Sequence, residues 1–99
     1  MLTKIIKRDG REVAFNIEKI ANAIFKAAQA TGGHDYDTAF SLASQVVDYI
    51  ENELGNHTPS VEEIQDAVEK ILVETGHART AKEFILYRSE RTRVREMNT

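Results

Sequence analysis

Residues Lys7–Ile20 read KRDGREVAFNIEKI, a pattern that predicts a turn, a strand and the beginning of a helix. Asp9 and Gly10 stand between two β-prone segments, where an Asp-Gly pair is a strong signal for a hairpin turn. Asn16 is a favourable N-cap for the helical pattern that follows it. Because an isolated hairpin is only marginally stable in water, the stretch predicts a β-hairpin that packs on helices.

The two-residue turn also predicts how the two strands pair. With that loop, Ile6 lies opposite Val13. Side chains alternate between the faces of a hairpin, so the register decides which of them face the helices. One predicted face carries Ile5, Lys7, Ala14 and Asn16, and the other carries Lys4, Ile6, Arg8, Val13 and Phe15.

Apolar residues recur at helical spacing in four segments downstream of the hairpin. The predicted boundaries are Asn16 to Gly32-Gly33, Asp35 or Asp37 to Gly55, Ser60 to Gly76, and Ala78 or Thr80 onward. At the third start, Ser60 and Glu63 fit a capping box, in which each side chain binds the backbone amide of the other. The predicted inward residues are Ile17, Ile20, Ala21, Ile24, Phe25 and Ala28; Phe40, Ala43, Val47, Ile50 and Leu54; Ile64, Val68, Ile71 and Leu72; and Ala81, Phe84 and Ile85.

These elements predict an α+β fold that is mainly helical, a four-helix bundle capped by a small N-terminal β-hairpin. Residues 56–59 are predicted to be a short extended segment, because the residue before Pro59 avoids the α region. Such a segment at the edge of the hairpin would make a three-stranded sheet.

The composition excludes several classes of protein. The chain has 99 residues, 41% of them hydrophobic and 29% charged, which is typical of one soluble globular domain. It has no cysteine, which excludes a disulfide framework, a thiolate nucleophile and a cysteine-containing zinc site. No apolar run reaches the roughly 18 residues of a membrane span. Because the N-terminus also lacks the apolar core of a signal peptide, we predict a cytoplasmic protein without a membrane partner.

Charge is distributed unevenly along the chain. Residues 1–26 hold six Lys or Arg and three Asp or Glu, residues 27–66 hold eight acids and no Lys or Arg, and residues 67–99 hold seven bases and five acids. The net charge of −3 makes nucleic acid an unfavourable partner, because its phosphates require a basic surface. Basic ends that meet in space predict a small anion site on an acidic body, and solvated surface charge is the alternative.

The last predicted helix carries arginines on its inward side. Arg88, Arg91 and Arg95 lie at positions i, i+3 and i+7 and therefore share one face. Arg88 also follows Phe84 by four residues, so it continues the apolar stripe. Guanidinium groups directed towards such a stripe predict a bound anion, and their forked geometry suits phosphate. The alternative is a solvated helix end whose cations interact with the helix dipole.

A second basic group lies near the hairpin and the start of the first helix, and comprises Lys7, Arg8, Arg11 and Lys19. The backbone amides that follow Asn16 are a natural phosphate seat. Lys19 is unfavourable for the dipole at this end of the helix, which an anionic ligand would explain. The chain has neither a P-loop segment nor a GxGxxG fingerprint.

No arrangement of side chains in the sequence supports catalysis. His34, His57 and His77 occur in predicted loops, and their spacing matches no metal motif. Acidic pairs such as Glu62-Glu63 are explained by capping and solvation, and no nucleophile–base pair is evident. We therefore predict a chain that performs no chemistry itself.

Three segments resemble the ATP-cone, the nucleotide-binding regulatory domain of ribonucleotide reductases. They are KRDGREVAFNIEKI from Lys7, SVEEIQDAVEKIL from Ser60 and AKEFILYRSER from Ala81. The resemblance implies a four-helix bundle under a three-stranded sheet, and it implies ATP or dATP, with Mg²⁺, as the on and off signals for reduction in another domain. The nucleotide-binding residues that it implies are Ile5, Lys7, Arg8, Asn16, Lys19, Ile20, Val61, Gln65, Arg88 and Arg91.

The tail TRVREMNT resembles the segment that joins the cone to the catalytic domain in anaerobic ribonucleoside-triphosphate reductases. The resemblance thus implies an ATP-cone over residues 1–91, the start of a linker over residues 92–99, and a catalytic domain as partner. The family's transcriptional repressor carries a zinc ribbon, and the absence of cysteine argues against it. The implied function is an allosteric switch of reductase activity that acts through helix arrangement or oligomeric state, with a homo-oligomer as one outcome.

Two other functions remain open at the level of sequence. In a non-catalytic interaction domain, the basic ends would bind an acidic partner protein. A small nucleic-acid binder is disfavoured by the acidic middle of the chain. Titration with ATP and dATP separates a nucleotide-binding domain from the interaction domain.

Overall fold

The computed structural model describes residues 2–55 and 57–97, with side chains as far as residue 88. Two strands and four helices follow one another along these residues. They are β1 (Lys4–Ile6), β2 (Glu12–Ala14), α1 (Ile17–Gln29), α2 (Tyr36–Leu54), α3 (Val61–Glu74) and α4 (Ala78–Met97). The prediction of a mainly helical α+β fold with a small N-terminal hairpin is confirmed.

The strands β1 and β2 pair antiparallel, but one residue away from the predicted register, with Ile5 opposite Val13. The Lys7 amide donates to the Arg11 carbonyl at 2.8 Å and the Gly10 amide to the Lys7 carbonyl at 2.9 Å, so the loop has three residues. A two-residue type I′ turn requires positive φ at both central residues, and among the described residues only glycines have positive φ. Gly10, at φ +88°, supplies the single left-handed position of a three-residue loop.

The observed register changes which side chains share a face of the hairpin. A shift of one residue moves the side chains of one strand to the opposite face relative to the other strand. Val13 and Phe15 therefore lie on the face of Ile5 and Lys7, and Ala14 lies on the other. Ile5 and Phe15, which share this face, both pack against the helical core.

The predicted third strand is reduced to a single bridge. Ile6 forms a parallel bridge with Ser60, and its amide donates to the Pro59 carbonyl at 2.9 Å. Within the described residues the sheet itself has two strands, and residue 56, where the predicted segment starts, lies outside them. The bridge ties the hairpin to the beginning of α3.

The predicted helix starts are confirmed. Asn16 caps α1 and Asp35 caps α2, while α4 begins at Ala78. At α3, the Ser60 amide donates to Oε1 of Glu63 at 3.1 Å and the Glu63 amide to Oγ of Ser60 at 3.1 Å, which completes the capping box. The backbone hydrogen bond from Ser60 lowers the pKa of Glu63, because it favours the charged carboxylate.

The inward faces of the four helices form the core. Two predicted core positions are wrong, since the side chains of Phe40 and Ile85 are 38% and 43% exposed. A third predicted core residue, Val47, is half-buried. The buried residues at these places are Ala39 and Phe84, each one position earlier in the chain. Because consecutive helical side chains differ in direction by roughly 100°, Phe40 and Ile85 point away from the core. The buried apolar residues are Ile20, Ala21, Ile24 and Ala27; Ala39, Leu42, Ala43, Val46 and Ile50; Ile64, Ala67, Val68, Ile71 and Leu72; and Ala81 and Phe84.

Candidate functional site

A cavity of about 210 Å³ lies between the hairpin, α1, α3 and the middle of α4. Ten residues are predicted for the site from the sequence, and the structure places nine of them around this cavity. These nine are Ile5, Lys7, Arg8, Asn16, Lys19, Ile20, Val61, Gln65 and Arg88. The tenth is Arg91, whose side chain lies outside the described residues.

The interior of the cavity is largely apolar. Ile20, Ile64 and Phe84 belong both to its wall and to the helical core. The other apolar aliphatic and phenyl groups of the lining are Ile5, Val13, Ala14, Phe15, Ala23, Val61 and Val68. Such a wall suits a flat, weakly polar ligand group, because contact removes apolar surface of both partners from water.

Cationic side chains from three elements line the same cavity. Lys7 and Arg8 come from the hairpin, Lys19 from the first turn of α1, and Arg88 from α4. Cations from the N-terminal hairpin and from α4 therefore lie at the same cavity. A concentration of cationic groups at one cavity attracts anions, so the arrangement favours a ligand with negative charge.

The N-terminus of α1 is less open than the sequence predicts. The Glu18 amide donates to Oδ1 of Asn16 at 2.9 Å, and the Lys19 amide donates to the Asn16 carbonyl at 3.1 Å. Two amides expected to be free for phosphate are thus engaged by the cap itself. Of the groups predicted to bind an anion at this end of α1, the Lys19 ammonium lines the cavity and these two amides are already hydrogen-bonded.

Arg88 is the most enclosed of the four cations, with its side chain 20% exposed. Its guanidinium donates to Glu62 at 3.1 Å, to Asp66 at 3.4 Å and to Glu69, all on α3. Burial opposes the charged form, but the hydrogen bonds to Glu69 and Asp66 outweigh it and raise the pKa of Arg88. Arg88 thus points inward as predicted, and carboxylates supply its anionic partners in this structure.

Glu62 connects Arg88 with the hairpin. Its Oε1 accepts from Nε of Arg8 at 2.6 Å, and its Oε2 accepts from the Arg88 guanidinium at 3.1 Å. One carboxylate therefore bridges two of the cations that line the cavity. The bridge links the hairpin loop, the first turn of α3 and α4.

Gln65 contributes a polar atom to the wall of the cavity. Its Oε1 is buried and has no hydrogen-bond partner among the described residues. Gln65 follows Val61 by one turn of α3, and both residues line the cavity. A buried acceptor without a donor is energetically unfavourable, so this oxygen is suited to accept a hydrogen bond from a ligand.

Several lining residues are not predicted from the sequence. The predicted two-residue loop puts Phe15 on the opposite face of the hairpin from Ile5, whereas the observed register puts both on one face. Phe15 is therefore identified as a lining residue only when the loop length is known. Tyr87 follows Phe84 by three residues and Ala23 follows Ile20 by three. Helical spacing therefore carries a signal for both Tyr87 and Ala23.

Two kinds of feature are absent from the part of the chain that the structure describes. No group of three or more His, Asp or Glu side chains there is arranged to hold a metal ion. Nε2 of His57 lies 3.4 Å from Oε1 of Glu63, as a pair at the surface. The described helices also include none with the length and apolarity needed to traverse a lipid bilayer.

The fold and the cavity define a small, mainly helical domain with a candidate site that combines cationic and apolar side chains. The chain belongs to the ATP-cone family, since the model of the ATP cone domain matches residues 3–93. The resemblance inferred from three sequence segments is thereby confirmed, and membership gives the domain a nucleotide-binding regulatory role. The domain boundary after residue 91 stays a prediction, and α4 runs past it to Met97.

The relatives are ribonucleotide reductases of several kinds. The chain is 40% identical over 101 residues to the vitamin B12-dependent ribonucleoside-diphosphate reductase of Thermoplasma acidophilum, covering 97% of this chain and 13% of that protein. It is 40% identical over 98 residues to the ribonucleoside-diphosphate reductase subunit alpha of Chlamydia pneumoniae, covering 92% and 9%. It is 34% identical over 96 residues to the anaerobic ribonucleoside-triphosphate reductase of Escherichia coli, covering 97% and 13%.

The chain therefore spans between 9% and 13% of the length of these curated relatives. The predicted similarity to an anaerobic reductase is confirmed. Two other kinds of reductase match at least as well, so the sequence of the cone does not single out one kind of parent enzyme.

Proposed function

We propose that this domain binds ATP or dATP in the cavity and thereby regulates a ribonucleotide reductase of which it is a part. The observation that carries the proposal is the convergence of Lys7, Arg8, Lys19 and Arg88 on a cavity with an apolar interior. A nucleoside triphosphate matches these two parts of the cavity, because it joins a flat base with weakly polar faces to a polyanionic chain. The fit supports a nucleotide over a simple inorganic anion.

The apolar side of the cavity would receive the base and sugar. Ile5, Ile20 and Val61 supply contact surface there, and Gln65 supplies a hydrogen-bond acceptor. The exocyclic amine of adenine is a donor of the kind that this acceptor lacks. This match supports adenine nucleotides as the ligands.

The cationic side chains would neutralise the triphosphate. Lys7 and Lys19 supply ammonium groups, while Arg8 and Arg88 supply guanidinium groups that bind phosphate oxygens in pairs.

Arg91 is proposed as a further phosphate contact, because it follows Arg88 by three positions on the same helix. Asn16 would hold the start of α1 beside them through its cap. Mg²⁺ would be coordinated chiefly by phosphate oxygens, since the described side chains include no cluster of three ligating groups.

Opposite effects of ATP and dATP require more than binding. The two nucleotides differ by one hydroxyl group, and a ligand shifts an equilibrium only by its difference in affinity for the two states. We therefore propose that ATP and dATP favour different arrangements of the helices or different oligomeric states. Contacts with the catalytic domain of the parent reductase would transmit the difference.

Calorimetric titration of the domain with ATP and dATP tests the proposal, and Lys19→Ala is the site-directed variant. We expect this substitution to weaken binding about tenfold, because a charge-assisted hydrogen bond contributes roughly 1.5 kcal/mol or more. Lys26→Ala is the matched control. Lys26 lies on the same helix and is exposed but does not line the cavity, so its removal should change affinity less than about twofold.

The titration also separates the alternatives. If neither nucleotide binds, the proposal fails and the domain is better explained as a module whose basic ends bind an acidic protein. If Lys19→Ala and Lys26→Ala weaken binding equally, the effect comes from overall charge and the cavity is not the site.

A further inference from the structure

Glu62 is held in place by ion pairs and not by burial. Its side chain is 47% exposed, whereas those of its partners Arg8 and Arg88 are 41% and 20% exposed. Glu62 lies next to the lining residue Val61 in the first turn of α3, where its carboxylate reaches both the hairpin and α4. A surface carboxylate with two arginine partners from different elements restrains both elements at once.

A triphosphate in the cavity would compete with this carboxylate. Phosphate and carboxylate oxygens are acceptors of the same kind, and both pair with the forked donors of a guanidinium. Arg8 directs its Nε to Glu62, and Arg88 directs one terminal nitrogen to the same carboxylate. The negative charge of Glu62 would also repel phosphate groups that approach these two arginines.

We propose that Glu62 is an internal competitor for the phosphate site, displaced from Arg8 and Arg88 as the nucleotide binds. The inference rests on the proposed function, and it adds a route from the site to the fold. When the phosphates take over the two arginines, the Arg8–Glu62 pair between the hairpin loop and α3 opens, while the backbone bridge between Ile6 and Ser60 remains. Nucleotide binding thereby removes one side-chain restraint between the hairpin loop and α3.

Glu62→Gln tests the inference, because it removes the charge and keeps the shape of the side chain. We expect ATP to bind roughly 3- to 10-fold more tightly to this variant, since each partly exposed ion pair that ATP must replace accounts for up to about fivefold. If Glu62 instead positions the two arginines for phosphate, the same variant binds ATP more weakly. The two roles therefore predict changes of opposite sign.

Asp66→Asn is the charge-matched control. Asp66 also lies on α3, its side chain is 73% exposed, and its contact with Arg88 is the longer one at 3.4 Å. Because Asp66 pairs with Arg88, whereas Glu62 pairs with both arginines, we expect this substitution to raise ATP affinity less than Glu62→Gln does. An equal gain in Asp66→Asn and Glu62→Gln would mean a general charge effect and would overturn the inference.

Glu62→Asp separates the effect of the Glu62 contacts with both arginines from the effect of its negative charge. Aspartate keeps the negative charge but is one methylene shorter, so it cannot reach both arginines as Glu62 does, and we expect it also to bind ATP more tightly. Far-UV circular dichroism establishes that each variant is folded. If the wild-type domain binds no ATP, the proposed function fails and the inference with it. If the wild type binds ATP and neither Glu62 variant binds it more tightly, only the inference fails.

Discussion

Arg88 shows how one residue serves both the core and the candidate site. It follows the buried Phe84 by one helical turn, so its aliphatic stem continues the inward stripe of α4. Its guanidinium reaches three carboxylates on α3. Arginine suits this position because its planar head makes several directed hydrogen bonds at once and keeps its charge in a partly buried place.

At the same scale, Gly10 determines the shape of the hairpin loop. A Cβ at this position would meet nothing within 4 Å, so the effect of a substitution comes from the backbone angle of +88° alone. We expect Gly10→Ala to lower the free energy of unfolding by about 1 kcal/mol, and Gly10→Asn to lower it less, because asparagine tolerates positive φ better than alanine. Urea unfolding measures both, and equal losses in the two variants would contradict this explanation.

At the scale of elements, the start of α3 joins the fold to the site. Its capping box closes the helix, and the bridge between Ser60 and Ile6 attaches the hairpin to it. The first turn then carries Val61 to the cavity wall and Glu62 to the two arginines. Any loss of order in this turn therefore affects the hairpin and the cavity together.

The capping box also makes part of the stability dependent on pH. Because the pKa of Glu63 is lowered in the folded protein, its contribution is present above the ordinary value of 4.5 and is lost as the pH falls through the lowered folded value. We expect the wild type to lose more stability than Glu63→Gln on acidification below pH 4.5, because glutamine does not titrate. Thermal unfolding at each pH measures the stability of both proteins. Identical acid profiles for the two proteins would show that Glu63 does not contribute in this way.

At the scale of the whole molecule, the cavity lies where the N-terminal hairpin and the middle of α4 come together. The hairpin supplies Lys7 and Arg8 and α4 supplies Arg88, while α1 and α3 stand between them. A ligand that contacts all four elements holds the two ends of the domain to its middle. Its binding should therefore stabilise the entire fold.

Thermal unfolding with added nucleotide measures this effect. At an ATP concentration 100 times the dissociation constant we expect about 2.7 kcal/mol of stabilisation, which raises Tm by roughly 10 °C or more for a domain of this size. Inorganic triphosphate lacks the base and should raise Tm less at the same concentration. An equal rise with inorganic triphosphate would mean that the apolar wall takes no part in binding.

Part of the candidate site is predictable because its residues carry local signals, whereas Ile5, Ile20, Val61 and Gln65 are reached only through the resemblance to the ATP-cone. Asn16 and Lys19 are placed by a helix start, and Arg88 by its spacing from Phe84. Phe15 is not predictable in this way, because its face depends on the length of the hairpin loop. The Glu62 contacts are not predictable either, since sequence patterns account for this residue by capping and solvation alone.

The amino-acid sequence alone determined the helix starts, the presence of a hairpin and the concentration of basic residues at both ends, because caps, turns and periodicity act over a few neighbouring residues. The three-residue loop, the reduction of the third strand to one bridge and the pairing of Glu62 with Arg8 and Arg88 were decided only by the tertiary structure. The bridge and the Glu62 contacts join groups remote in the chain, and the loop length sets a strand register that the Asp-Gly pair alone does not fix. Packing of the hairpin on the helices settles both.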